Sequence, residues 1–146
     1  MAFSNYRLWY RAAAWYLLLA GAAQAVGHYF FFADASRFAP QRLALARTMQ
    51  AYTADPLTGA SMWRQVQMFS LAFALLLVFA GLINLMIARS ELPLTFLKRM
   101  IRFNLIFWAA AFCFLLLHPV TQPLVISGFT SLLLAVALWR TAGEQP

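Results

Sequence analysis

The chain has 146 residues, 64% of them hydrophobic and only 10% charged, with a formal net charge of +7 and a mean hydropathy of +0.72. Soluble domains carry about 45–50% apolar and about 25% charged residues, so this composition excludes one, and so oily a chain is not disordered either. A single cysteine rules out a disulfide scaffold and a cysteine-rich metal site. An integral membrane protein remains.

A helix needs roughly 20 apolar residues to cross a hydrocarbon core of about 30 Å. Residues 12–32 form the first such stretch, with no charge in it. Arg7 and Arg11 before an apolar run, then Ala23-Gln24-Ala25, also have the form of a secretory signal peptide. The run continues through Val26 and Phe30-Phe31-Phe32, however, long enough to span, and cleavage is not expected. A long connection, 33–65, follows. Inside it Leu45, Met49 and Tyr52 stand at i, i+4 and i+7, a spacing that suits a short helix over 41–52 lying on the membrane surface. Pro56 and Gly59 are expected to end that helix, and Ser61 to cap the next.

The second span covers 66–88 and is also uncharged. Ser90, Glu91 and Pro93 make a cap-like start for the third, at about 99–118. Pro119 and Pro123 then force a tight turn, with Thr121 placed to cap a fourth span at about 123–139. The apolar core of that last span is short and would reach only about 24 Å, so it calls for a thinned bilayer or help from Trp139 and Arg140. The expected architecture is an all-α, four-transmembrane-helix bundle in one domain, with a single long outer loop over 33–65. No internal repeat supports an inverted-repeat transporter.

Positive charge sets the orientation. With four spans, Arg7, Arg11, Arg89, Lys98, Arg99, Arg102 and Arg140 share one side, and Arg37, Arg42, Arg47 and Arg64 share the other. The bias places both termini in the cytoplasm, and the absence of β-barrel alternation points to a bacterial inner membrane. Trp9, Tyr10, Trp63 and Trp139 then fall near span ends as interfacial aromatics. The basic balance reads as topology and attraction to anionic lipid, since no basic run is dense enough for nucleic acid.

Polar side chains within spans are the default place to look for function. No Asp or Glu lies in any span, which argues against proton-coupled pumping and membrane acid–base catalysis. Gln24, His28, Gln67, Ser70, His118 and Gln122 all fall near the outer ends of spans. Toward the inner side, Asn84 and Asn104 are placed to bond each other as structural glue. Gln67, Ser70, Ala74, Leu77, Gly81 and Asn84 form one stripe of the second span, and small Ala74 and Gly81 mark it as the protein-facing side. Cys113 reads as packing, as do Met62 and Met68. Ser127, Gly128 and Ser131 read as a small-residue packing face.

Three readings of His28 and His118 follow. Both close the bundle as hydrogen-bonded interfacial residues; or they join Gln24, Gln67 and Gln122 in holding the polar head of a lipid or quinone; or they ligate a haem axially. No C-x-x-C-H is present, so covalent haem attachment is excluded.

From Gly27-His28 onward, with Met49, Gly59 and the stripe from Gln67 to Asn84, the chain resembles an uncharacterised family of small four-helix bacterial membrane proteins. That resemblance covers about half the chain, implies four spans and draws attention to His28, and it implies no activity. The chain also looks superficially like membrane sterol isomerases of similar size, but lacks the in-span carboxylates such sites require. The expected function is that of a non-enzymatic accessory subunit in a larger membrane complex, or a binder of a hydrophobic small molecule near the outer leaflet. The alternative is a haem- or quinone-linked redox protein using His28 and His118.

Overall fold

A computed structural model describes residues 5–33, 38–118 and 120–142. In chain order these form α1 (Tyr6–Ala33), α2 (Pro40–Ala51), β1 (Thr53–Asp55), β2 (Ala60–Ser61), α3 (Met62–Arg89), α4 (Leu94–Leu117) and α5 (Thr121–Ala142). Among the described residues, three helices are long and apolar enough to cross a membrane: α3, α4 and α5. The 22 residues of α5 reach about 33 Å, because helix continues through Thr121 and Gln122 at one end and Arg140 to Ala142 at the other. The short apolar core in the sequence therefore understated this helix. The 28-residue α1 is as long as α3, but Gln24, Gly27 and His28 interrupt its apolar run.

The chain divides into two compact units, Met1–Leu19 with Val78–Pro146, and Ala20–Leu77. Both α1 and α3 contribute to each.

In the first unit, α1 buries Tyr6, Tyr10, Ala13, Ala14 and Leu17, and α3 buries Gly81, Asn84, Leu85 and Ala88. Steps of three and four residues keep each set on one helix face. The two helices meet backbone to backbone at Gly81. A Cβ there would stand 2.7 Å from Leu18 Cγ and 2.9 Å from both the Ala14 carbonyl oxygen and the Leu18 nitrogen. Only glycine fits so close a crossing. Antiparallel α4 and α5 pack against each other; α4 buries Leu97, Ile101 and Trp108, and α5 buries Ile126, Ser127, Thr130, Leu133, Leu134, Ala137 and Thr141. Gly128 lets α5 approach the Phe112 ring, where a Cβ would come within 2.9 Å of Cε2.

Helix ends in this unit depart from the expected caps. Ser90 closes α3 instead of starting α4: its Oγ donates to the Ile87 carbonyl at 2.6 Å and its backbone N–H to Met86. Pro93 then takes the N-cap position of α4 without any side-chain bond, and Thr121 is the first residue inside α5. Two more terminal carbonyls of α3 are met from α1, since Arg7 donates to Ser90 O and Arg11 to Ala88 O, each at 3.4 Å. Such carbonyls have no partner within their own helix.

In the second unit, Ser61 does cap α3, its Oγ accepting the Arg64 N–H at 3.3 Å. The face that α2 buries is not the one expected. Ala46 is buried, with Leu43 and Met49 half-buried beside it at i−3 and i+3, whereas Leu45 is exposed and Tyr52 lies beyond the helix end. Pro56 and Gly59 do not terminate α2. They belong to the turn of an antiparallel β1–β2 hairpin, in which Gly59 has φ +68°, a conformation glycine adopts without strain. Gly59 N–H bonds Asp55 O at 2.9 Å, while the Asp55 carboxylate accepts Leu57 N–H and Thr58 Oγ1–H.

The stripe anticipated on α3 is the face this helix buries. Ala74, Leu77, Gly81 and Asn84 are buried, and Gln67 and Ser70 half-buried. The opposite face carries Phe69, Leu75, Phe79 and Met86, with Phe69 and Met86 each 72% exposed. Cys113 on α4 is exposed too, and does not pack as the sequence suggested.

Candidate functional site

Polar side chains gather in two places along these apolar helices. The first is a buried chain linking α1, α3 and α4 within the first unit. Tyr10, 1% exposed, donates its hydroxyl hydrogen to Asn84 Oδ1 at 2.5 Å. Asn84, 4% exposed, donates through Nδ2 to Asn104 Oδ1 at 3.0 Å and to its own-helix carbonyl of Ala80 at 2.9 Å. Asn104 Nδ2 donates in turn to Met100 O at 2.9 Å. Both hydrogens of the Asn84 amide are thus used, and its carbonyl is occupied. Buried polar groups without partners are costly, and a complete chain avoids that cost.

Tyr10 is the member that the sequence did not reveal. An aromatic near a span end is ordinarily interfacial. Tyr10 is instead buried because it shares a face with Tyr6, Ala13, Ala14 and Leu17, and that three-four spacing was the available signal.

The second place lies in the second unit, toward the C-terminal end of α1 and the N-terminal end of α3. Gln24 Nε2 donates to Ser70 Oγ at 3.0 Å, joining the two helices. One turn on, His28 is half-buried, its ring 4.7 Å from that of Phe32. His28 Nδ1 is enclosed and has no hydrogen-bond partner among the described residues. Beyond it Phe31, Phe32, Phe38 and Trp63 pack ring to ring, with centroids 5.0–6.4 Å apart. Gln67, half-buried, opens the buried face of α3 one turn before Ser70.

The other two expected ligand-binding residues belong to the first unit. His118 is exposed at the C-cap of α4, its N–H bonded to Phe114 O at 3.3 Å and its ring 5.2 Å from the Phe114 ring. Gln122 is exposed in the first turn of α5. Within a single unit, therefore, the structure brings together Gln24, Ser70 and His28, with Gln67 on the same α3 face. Among the described residues, no three of His, Cys, Asp or Glu converge on a point where they could hold a metal ion.

At the hairpin turn, hydrogen bonds from the Thr58 hydroxyl and the Leu57 N–H hold the Asp55 carboxyl below the usual carboxylate range. The open concavity beside this turn has a volume of about 450 Å³ and is lined by Thr58, Ala60, Arg64, Gln65, Met68 and Phe69.

Comparison of the chain with protein-family models, curated proteins and solved structures gives no match.

Proposed function

We propose that this is a polytopic membrane protein without catalytic machinery, which binds a hydrophobic small molecule with a polar head, a lipid or a quinone, near the outer leaflet. In this reading α1, α3, α4 and α5 are four spans of a bundle in a bacterial inner membrane. Arg7, Arg11, Arg89, Lys98, Arg99, Arg102 and Arg140 keep both termini cytoplasmic, and α2 lies at the outer surface. Support for the membrane comes from the exposed faces of α3 and α4. Residues such as Phe69, Phe79, Met86, Phe103 and Ile106 stand open there, a patchwork that water does not tolerate over such an area.

The observation that carries the binding role is His28. An enclosed ring nitrogen without a partner, one turn from the Gln24–Ser70 bond, is a polar group in want of a hydrogen bond. A hydroxyl or carbonyl head group supplies it, with the ring turning to present either nitrogen. Gln67 offers both a donor and an acceptor on the neighbouring helix, and the apolar tail lies along the exposed faces of the spans.

The test is extraction of the protein purified in mild detergent, followed by mass spectrometry of what comes off, alongside a visible spectrum before and after dithionite. One lipid-like or quinone compound is expected in near-stoichiometric amount, falling at least about fivefold in His28→Ala and Gln24→Ala, as loss of one or two polar contacts of about 1 kcal/mol each implies. A compound retained equally by both variants, or none at all, overturns the binding role and leaves an accessory subunit. A Soret band lost with His28 and His118 makes the protein a cytochrome instead.

A further inference from the structure

The concavity beside the hairpin is separate from the His28 cluster, and its lining changes character along α3. Arg64 and Gln65 stand in the first turn of the helix. Met68 and Phe69 follow each at i+4, so they lie directly below, about 6 Å further along the axis. Thr58 and Ala60 of the hairpin wall the polar tier. The groove therefore pairs a cation, an amide and a hydroxyl at one level with a thioether and a phenyl ring at the next. That step from polar to apolar within about one helical turn is the profile of a phospholipid at the level of its phosphate and glycerol.

Charge points the same way. The hairpin's own carboxylate, Asp55, keeps its charge but is held within the turn by Leu57 and Thr58 and is not one of the groove's lining residues, and the first turn of α3 contains no acidic residue. Arg64 forms no ion pair among the described residues. Its planar guanidinium matches a phosphate oxygen pair in bidentate fashion, with the Gln65 amide as a further donor; the Thr58 hydroxyl hydrogen is already given to Asp55. Below it Met68 and Phe69 are both exposed, at 61% and 72%, and continue into the apolar face of α3 that runs through Leu75, Phe79 and Met86. An acyl chain has an uninterrupted track there.

We infer that this groove is a binding site for one anionic phospholipid, with Arg64 on the phosphate and Met68 and Phe69 against the upper acyl chain. The inference rests on the membrane reading above, and on neither His28 nor the small molecule proposed there.

The experiment is native mass spectrometry of the full-length protein in detergent, titrated with phosphatidylglycerol, phosphatidylcholine or inorganic phosphate. One high-affinity phosphatidylglycerol is expected, bound at least about tenfold more weakly by Arg64→Gln and unchanged in Arg42→Gln, whose arginine lies on α2. Phe69→Ser should weaken phosphatidylglycerol and leave any binding of inorganic phosphate untouched. Circular dichroism and melting of each variant show whether the fold is kept; should Phe69→Ser unfold, Phe69→Ala takes its place. Equal loss in Arg64→Gln and Arg42→Gln overturns the site in favour of general charge attraction. Inorganic phosphate competing at equal strength overturns the lipid in favour of a free anion. Phosphatidylcholine binding as tightly as phosphatidylglycerol overturns the charge selectivity. Failure of the protein to enter vesicles at all sinks the membrane reading itself, a result distinct from any of these.

Discussion

The Tyr10–Asn84–Asn104 chain and the Gln24–Ser70–His28 cluster are built from similar parts and end in different states. Each uses amide side chains on α1, α3 or α4 to bond one helix to another, and each lies on a face marked by steps of three and four residues. In the first, both hydrogens of the Asn84 amide are used and the residues at its centre are closed off. In the second, Gln24 bonds Ser70, the enclosed His28 nitrogen has no partner among the described residues, and the histidine that carries it is only half-buried. A saturated network has nothing to offer a ligand and is suited to fixing helix register; an unsaturated one has spare capacity. Residue type does not separate the two, and only the count of filled hydrogen-bond positions does.

The hardest way to break the comparison is at Gly81, one turn from Asn84. Gly81→Val places a branched side chain where even a Cβ meets the α1 backbone, so α1 and α3 must separate and the closed chain opens with them. Overpacking costs typically about 1–3 kcal/mol, and a backbone clash belongs at or above the top of that range. Unfolding in mixed micelles should show loss of most of the stability.

A direct contrast comes from removing one amide in each place. Asn84→Ala leaves the buried Tyr10 hydroxyl and the half-buried Asn104 Oδ1 without these partners, for an expected loss of about 2 kcal/mol. Gln24→Ala removes the interhelical bond to Ser70 from a half-buried position and should cost about 0.6 kcal/mol. The same unfolding assay ranks them, and equal losses would mean that the two networks are equally structural.

The smallest effect concerns the turn in the second unit. Thr58→Val removes the leading cause of the lowered Asp55 pKa, so the carboxyl should return toward its ordinary range, read by NMR titration. Because the native value is depressed, the turn's contribution is full above the ordinary carboxylate pKa of about 3.9 and fades as pH falls through the native one. In the variant the folded and unfolded values lie closer together, so the acid-side loss should be smaller and complete at a higher pH.

Much of this was legible in the sequence, for physical reasons that differ by element. The buried face of α3 could be read because polar and small residues recur along it with a helical period, and the opposite face is uniformly large and apolar. The cap at Ser61 followed from residue type alone. Tyr10 was misplaced because a tyrosine near a span end has two stable environments, and only its hydrogen-bond partner on another helix decides between them. The hairpin was missed because β1 and β2 are too short to show alternation, so Pro56 and Gly59 looked like helix stops. On α2 the larger residues suggested the packed face, whereas the residue it buries is Ala46, with Leu43 and Met49 half-buried beside it.

One feature of α5 bears on how the protein is made. Ser127, Thr130, Ser131 and Thr141 each donate their hydroxyl hydrogen to a carbonyl three or four residues earlier in the same helix. None of these four hydroxyls depends on a neighbour to mask its polarity. During biosynthesis α5 can therefore leave the insertion machinery and wait in lipid alone, whereas Tyr10 and Asn84 do not find each other until α1 and α3 have come together.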